Sequence, residues 1–353
     1  MTDYTQLGNQ LKKKKEIISS DALAIQFSQM PNLNPIRSPE FDEISLRDTR
    51  YTLLYLADSI LVQSHKLFKN YIRWFIQILN GLNLPLEYLI YSLHAIESAA
   101  KTQIDEKDYA MLHDFILAGL AEITEDLQET ESMDTDYLSI YKDQYVQFLL
   151  EGKRQLASNL IHELLEKKID IEQIYIQIFQ ESQYTIGKLW QDHVISVAQE
   201  HYCTATTQLI MGQLYPLIFN TPKNDYTFVG SSIGGELHEL GIRMVSDFFE
   251  LHGWNTYYLG ANTPAKGILE TVLDKKADVV GLSTTMGYHL SDLVEVIQLI
   301  RNDPRCRQVK ILVGGYPFLI DPMLWKKVHA DGTASNAIKA IELAHQLVIT
   351  SKE

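Results

Sequence analysis

The sequence predicts a multi-domain chain of α + α/β type. It comprises an N-terminal helical domain, a second helical set forming a four-helix bundle, and a C-terminal five-stranded parallel sheet that is flavodoxin-like (Rossmann-type). Three observations predict it. A chain of 353 residues is too long for one core. Apolar residues recur at helical spacing from about Leu46 to Phe219. From Tyr226 onward, short apolar runs alternate with helical patterns, which is how a parallel sheet covered on both faces reads.

Residues 1–42 are polar, and Pro31, Pro35 and Pro39 would break any helix begun near Asp21, so an irregular segment is expected. A helical output or interaction domain is expected over 43–130. Tyr51, Leu54, Tyr55 and Ala57 mark its first helix. Leu67, Tyr71, Trp74, Phe75 and Leu79 mark a second, stopped by Asn80-Gly81; this aromatic stripe reads as core. Pro85 begins a third through Tyr88, Leu89 and Leu93, and Tyr109 to Ile123 give a fourth. Residues 128–136, rich in Glu, Thr, Ser and Asp, read as a linker. The bundle is expected over 135–220, with joints at Glu151-Gly152-Lys153 and Lys167-Lys168-Ile169-Asp170. The α/β domain is expected over 225–350. Its strands fall near 226–232, 255–259, 278–283 and 309–313, with a short fifth near 328–331. Helices fall near 240–252, 264–275, 289–302 and 336–349, and the natural strand order is 2-1-3-4-5.

The chain is organised around Glu236-Leu237-His238-Glu239-Leu240-Gly241, a polar loop at the carboxyl end of the first strand, where open α/β sheets bind ligands. His238 could ligate a metal, Glu236 could orient it, and Gly241 allows close approach. Spacing adds weight: 41 residues separate Gly241 from Ser283-Thr284-Thr285, and 28 separate Thr285 from Gly314-Gly315. In the preceding bundle, Trp190 is followed after nine residues by Glu200-His201, with Gln191 to Ser196 reading as a turn.

The first series resembles the cobalamin-binding module, whose pattern is Asp-x-His-x-x-Gly, then Ser-x-Leu, then Gly-Gly. The resemblance covers about residues 135–348, with Glu236 in place of the Asp and Thr285 in place of the Leu. It implies that His238 is the lower cobalt ligand and Glu236 its orienting partner. It also implies that Ser283, Thr285, Gly314 and Gly315 line a slot for the displaced nucleotide tail. With Trp190 and Glu200-His201, the chain further resembles the CarH-type adenosylcobalamin photoreceptors. That resemblance implies Trp190 against the adenosyl group, Val197 leaving room for it, and Glu200 as a hydrogen-bonding group. His201 would become the upper cobalt ligand after light breaks the cobalt–carbon bond. The MerR-type DNA reader of those repressors has no counterpart in residues 1–130.

The formal net charge of −14 disfavours a nucleic-acid surface, so direct DNA binding is not expected. The basic run Lys12 to Lys15 reads as a solvated helix face or tail. Two cysteines imply no disulfide framework, and no apolar run is long enough to span a bilayer, so a cytoplasmic protein is expected. The function implied is a light sensor that binds adenosylcobalamin, with methylcobalamin possible. It would signal through a protein partner or a homo-oligomer and would not itself be an enzyme. The alternative is a corrinoid methyl-carrier protein of a methyltransferase system.

Overall fold

Residues 3–30, 38–82, 84–124 and 138–350 are described by a computed structural model. The expected linker, 128–136, lies outside the described residues, as do Pro31 and Pro35.

The amino terminus corrects the expectation of an irregular segment. Helices α1 (Asp3–Lys13) and α2 (Lys15–Gln29) occupy most of it. Leu7, Leu11 and Ile18 recur at helical spacing and are fully buried. Pro39 breaks nothing: it opens α3 (Pro39–Leu61), where its missing N–H is no loss, and the Ser38 side chain caps the end by accepting from the Phe41 N–H. Lys12 likewise departs from a solvated reading. Its ammonium lies 2.9 Å from the fully buried Asp58 and also reaches the Ser291 hydroxyl.

Helices α4 (His65–Gly81), α5 (Glu87–Lys101) and α6 (Tyr109–Thr124) complete this first domain. Phe68, Ile72, Phe75, Ile76 and Leu79 form the face of α4 that joins its core. The bundle follows with α7 (Ser139–Leu150) and α8 (Arg154–Glu166). Next, α9 (Ile171–Gln173) runs through a π-helical stretch (Ile174–Gln180) into α10 (Glu181–Gln191). After a turn, α11 (Val197–Gln213) starts on a capping box in which Ser196 and Gln199 satisfy each other's backbone N–H groups. The short α12 (Tyr215–Ile218) leads to the sheet.

Strands β1 (Thr227–Ser232), β2 (Asn255–Tyr258), β3 (Val279–Ser283), β4 (Lys310–Gly314) and β5 (Gly332–Thr333) pair in parallel in the order 2-1-3-4-5. The crossovers are α13 (Leu240–Leu251), α14 (Ala265–Asp274) and α15 (Leu290–Asn302), then the short α16 (Tyr316–Ile320) and α17 (Leu324–Lys327), with α18 (Ala337–Thr350) last. The fifth strand begins later than 328–331. Val328 and Ala330 are buried where the chain turns after α17, with His329 at positive φ, so their burial is that of a turn.

One core joins the bundle to α13, α18 and that face of the sheet; another lies beneath α14 and α15. Leu61, Val62 and Leu67, at the α3–α4 joint, enter this latter core and dock the first domain on the α/β domain. The bundle is seated on α13 partly by the Tyr175 hydroxyl, which donates to buried Asp247 at 3.0 Å. Burial pushes the Asp247 carboxyl up to about 6, against the hydrogen bond from Tyr175 and the nearby Arg243 charge. A carboxyl raised on folding costs nothing below its ordinary value; its cost builds as pH climbs from that value to the raised one and is constant above it. Asp247→Asn, which can still accept from Tyr175, is therefore expected to raise stability at pH 7 by about 2 kcal/mol. That gain should fade between pH 6 and pH 4. Thermal melts across this range check it, and an equal gain at pH 4 and pH 7 would contradict it.

Candidate cofactor site

The site lies at the carboxyl ends of β1, β3 and β4, where the order of strands reverses direction. After β1 the chain turns at Gly235, with φ +82°, and Glu236 folds back inside the protein. Its Oε1 accepts from the His238 backbone N–H at 3.0 Å and from His238 Nδ1 at 2.5 Å. Its Oε2 accepts from the backbone N–H groups of Thr285 at 2.7 Å and Met286 at 2.9 Å. Burial acts to raise the Glu236 carboxyl, but the hydrogen bonds from His238 and Met286 outweigh it and hold it down at about 2. The same hydrogen bond raises the imidazole of His238, against its partial burial.

A carboxylate held ionised requires the proton on Nδ1, which leaves the Nε2 lone pair for a metal. The Ser232 hydroxyl donates to the His238 carbonyl at 3.1 Å and fixes the loop's far side. Among the described residues no group of three or more His, Cys, Asp or Glu could hold an ion. A metal bound here would take one ligand from His238 and bring the others with it. Both departures from the module's pattern have a structural meaning. The longer Glu spans to the β3 loop, and Thr285 contributes through its backbone, so its side-chain type leaves the contact intact. Glu236→Gln places an NH2 or a weaker acceptor against these donors, and is expected to weaken cobalamin binding by about 10- to 100-fold. Absorbance titration measures this; wild-type affinity would assign Glu236 a purely structural role.

Gly314 ends β4 and Gly315 follows it. Gly315 has φ +103°, and a Cβ there would lie 1.9 Å from the Thr284 carbonyl oxygen, so only glycine fits. Gly314 and Gly241 face open space, with nothing within 4 Å of such a carbon. They border a cavity of about 1380 Å³ that extends inward past Ser283 and Thr285 to Phe228, Leu312 and Ala340. Phe228 stacks on Phe249 at 3.8 Å between ring centroids and forms part of the inner wall. An open cradle, a deep slot and a single oriented imidazole fit a large planar metal complex with a tail.

Trp190, Val197, Glu200 and His201 all line this cavity from the bundle. Trp190 is half-exposed, Val197 is exposed, and Glu200 accepts from the Thr204 hydroxyl at 3.0 Å. The His201 side chain is 74% exposed, with Nε2 3.5 Å from Glu200. The structure thus brings ten of the eleven sequence-derived residues to the wall of one cavity, and the eleventh, Glu236, is buried behind it and holds His238. Sequence reasoning missed a third wall. Tyr55, Asn70, Trp74 and Gln77, from the domain expected to serve only as output, line the same space. Tyr71 of the aromatic stripe is core yet also faces the cavity. The available signal was the polar and aromatic mixture on one side of α4, opposite its purely apolar side.

Fold and site together define a cobalamin-binding protein. A family model described as a B12 binding domain matches residues 226–342, and a second of the same description matches residues 141–215. The chain belongs to the corrinoid proteins: it is 30% identical over 163 residues to dimethylamine corrinoid protein 1 of Methanosarcina acetivorans, covering 46% of this chain and 73% of that protein. Dimethylamine corrinoid protein 1 of Methanosarcina mazei is 29% identical over 164 residues, with the same coverage. The structure of the monomethylamine corrinoid protein of Methanosarcina barkeri superimposes with a TM-score of 0.53 at 17% identity, over 60% of this chain and 99% of that one, a likeness of fold. These relatives are named as corrinoid proteins, so the light-sensing resemblance rests on Trp190, Val197, Glu200 and His201 alone. No helix among the described residues is long and apolar enough to cross a membrane.

Proposed function

We propose that the protein is a corrinoid carrier, which holds cobalamin on His238 and presents a methyl group to partner proteins without itself being the methyltransferase. The observation that carries this reading is the Glu236–His238 pair beneath an open glycine cradle, in a chain whose named relatives are methylamine corrinoid proteins. Bound cobalamin would supply a cobalt–carbon bond that can be made and broken. The protein's own residues do the rest. Glu236 keeps the Nδ1 proton of His238 and points Nε2 at the ligand position. Gly314 and Gly315 leave room for the tail, and Phe228 and Leu312 exclude water from the slot. Methylcobalamin is the cofactor form that suits this role, in a reducing, cytoplasmic setting where buried Cys203 and Cys306 stay free.

A second reading, an adenosylcobalamin light sensor, is favoured by one observation: Trp190, Val197, Glu200 and His201 face the same cavity. Visible spectra of the protein loaded with methyl- or adenosylcobalamin, in darkness and after green light, separate the two. The carrier retains methylcobalamin at least as well as adenosylcobalamin, and its illuminated spectrum is unchanged by His201→Ala. Strong selectivity for adenosylcobalamin with an illuminated spectrum that depends on His201 would overturn the carrier reading in favour of the sensor.

A further inference from the structure

The two family-model matches begin at residues 141 and 226, so the N-terminal helical domain lies outside both. Helix α4 of that domain nonetheless presents a continuous stripe to the cavity. Leu67, Asn70, Trp74 and Gln77 recur every three or four residues, Tyr71 sits beside Asn70, and all five line it. The opposite face of α4, through Phe68, Ile72 and Phe75, packs in its own domain's core, so the helix is anchored from behind.

The stripe is tied down at both ends. The Asn70 side-chain amide donates to the Tyr316 hydroxyl at 3.3 Å, beside Gly315 on the sheet side. Gln77 is hydrogen-bonded to Gln191, beside Trp190 on the bundle side. Seven residues of helix span about 10 Å. Helix α4 therefore bridges the gap between the sheet's glycine cradle and the bundle's tryptophan. Behind it, the seat on the α/β domain is specific. Asp58, paired with Lys12, accepts from the backbone N–H of Ser291 at the start of α15, and the Ser64 hydroxyl donates to buried Asp321 at 2.8 Å.

We propose that α4 is a third wall of the cobalamin site, with Trp74 packed on the bound cofactor and Asn70 and Gln77 hydrogen-bonded to its peripheral carboxamides. The chemistry is complementary. A corrin carries amide side chains that both donate and accept, as do Asn and Gln, while a half-buried indole supplies a flat apolar surface. The bundle and sheet alone would leave this side of the cavity open; in this chain the N-terminal domain closes it. This rests on the cobalamin-binding reading of the site.

The test is absorbance titration of the full-length protein with methylcobalamin and with hydroxocobalamin. Trp74→Ala is expected to weaken both by about tenfold, and Gln77→Ala by a few-fold, while Tyr91→Ala, on the outside of α5, binds as wild type. Equal loss with both forms shows contact with the corrin itself. Hydrogen–deuterium exchange on the wild type gives a second readout that needs no variant: peptides from α4 should become protected when cobalamin is added. Wild-type affinity in Trp74→Ala, or no protection of α4 on binding, would overturn the third wall. If the wild type binds neither form, the cobalamin reading itself falls.

Discussion

His238→Ala is expected to lower cobalamin retention by about a hundredfold and to change the visible spectrum of whatever remains bound. Second-sphere partners of a metal ligand typically contribute 10- to 100-fold in affinity, and the ligand itself contributes no less than its supports. The loop's two carboxylates are both engaged elsewhere: Glu239 accepts from the Gln208 amide and the Tyr258 hydroxyl. Glu236 is turned inward, with both oxygens occupied by donors from His238, Thr285 and Met286. The deep slot past Ser283 toward Leu312 is untouched by the substitution, which is why some binding should survive. A variant with full occupancy and an unaltered spectrum would remove His238 from the cobalt. Glu236→Gln should fall between this variant and the wild type, since it disturbs the imidazole's orientation and leaves the imidazole in place.

Gly315→Ala is expected to be the most damaging single methyl in the α/β domain, costing about 3 kcal/mol or more of stability. Two penalties coincide. The backbone sits at φ +103°, where a side chain is strained, and the added carbon would meet the Thr284 carbonyl oxygen at 1.9 Å. Thr284 cannot easily retreat. Its own N–H donates to the Gly314 carbonyl, and the next two N–H groups hold Glu236. The strain should therefore reach the His238 loop, lowering the melting temperature and cobalamin affinity together. Gly314→Ala is the control, because nothing lies within 4 Å of the added carbon. It should melt like the wild type and bind cobalamin less well, since its methyl enters the cavity. A Gly315→Ala protein that melts and binds like the wild type would show that the loop yields more readily than its hydrogen bonds imply.

Much of this was legible from residue order. The parallel sheet announced itself through runs such as Phe228–Val229 and Val279–Val280, which are apolar on consecutive residues because both faces are covered. The motif residues converge because each sits within a few residues of a strand's carboxyl end, and a parallel sheet brings all those ends to one edge. The amino terminus departs from its sequence pattern for a local reason. A proline breaks a helix only in its interior, whereas Pro39 occupies a helix's first turn, and Leu7, Leu11 and Ile18 are spread thinly among polar residues. Only packing against α3 and α5 makes them a core.

Local pattern and motif spacing determined the strand order, the His238 loop and the bundle residues that face it, because those depend on short-range periodicity and on a topology that parallel sheets share. Tertiary structure alone decided that Glu236 grips the β3 loop, that Lys12 is held by buried Asp58, and that α4 walls the cavity. Each of these joins residues dozens to hundreds of positions apart. A helix with one apolar face and one mixed face reads the same whether its second face meets solvent or a ligand. Only the docking of one domain on another, through Leu61, Val62 and Leu67, turns that second face of α4 inward.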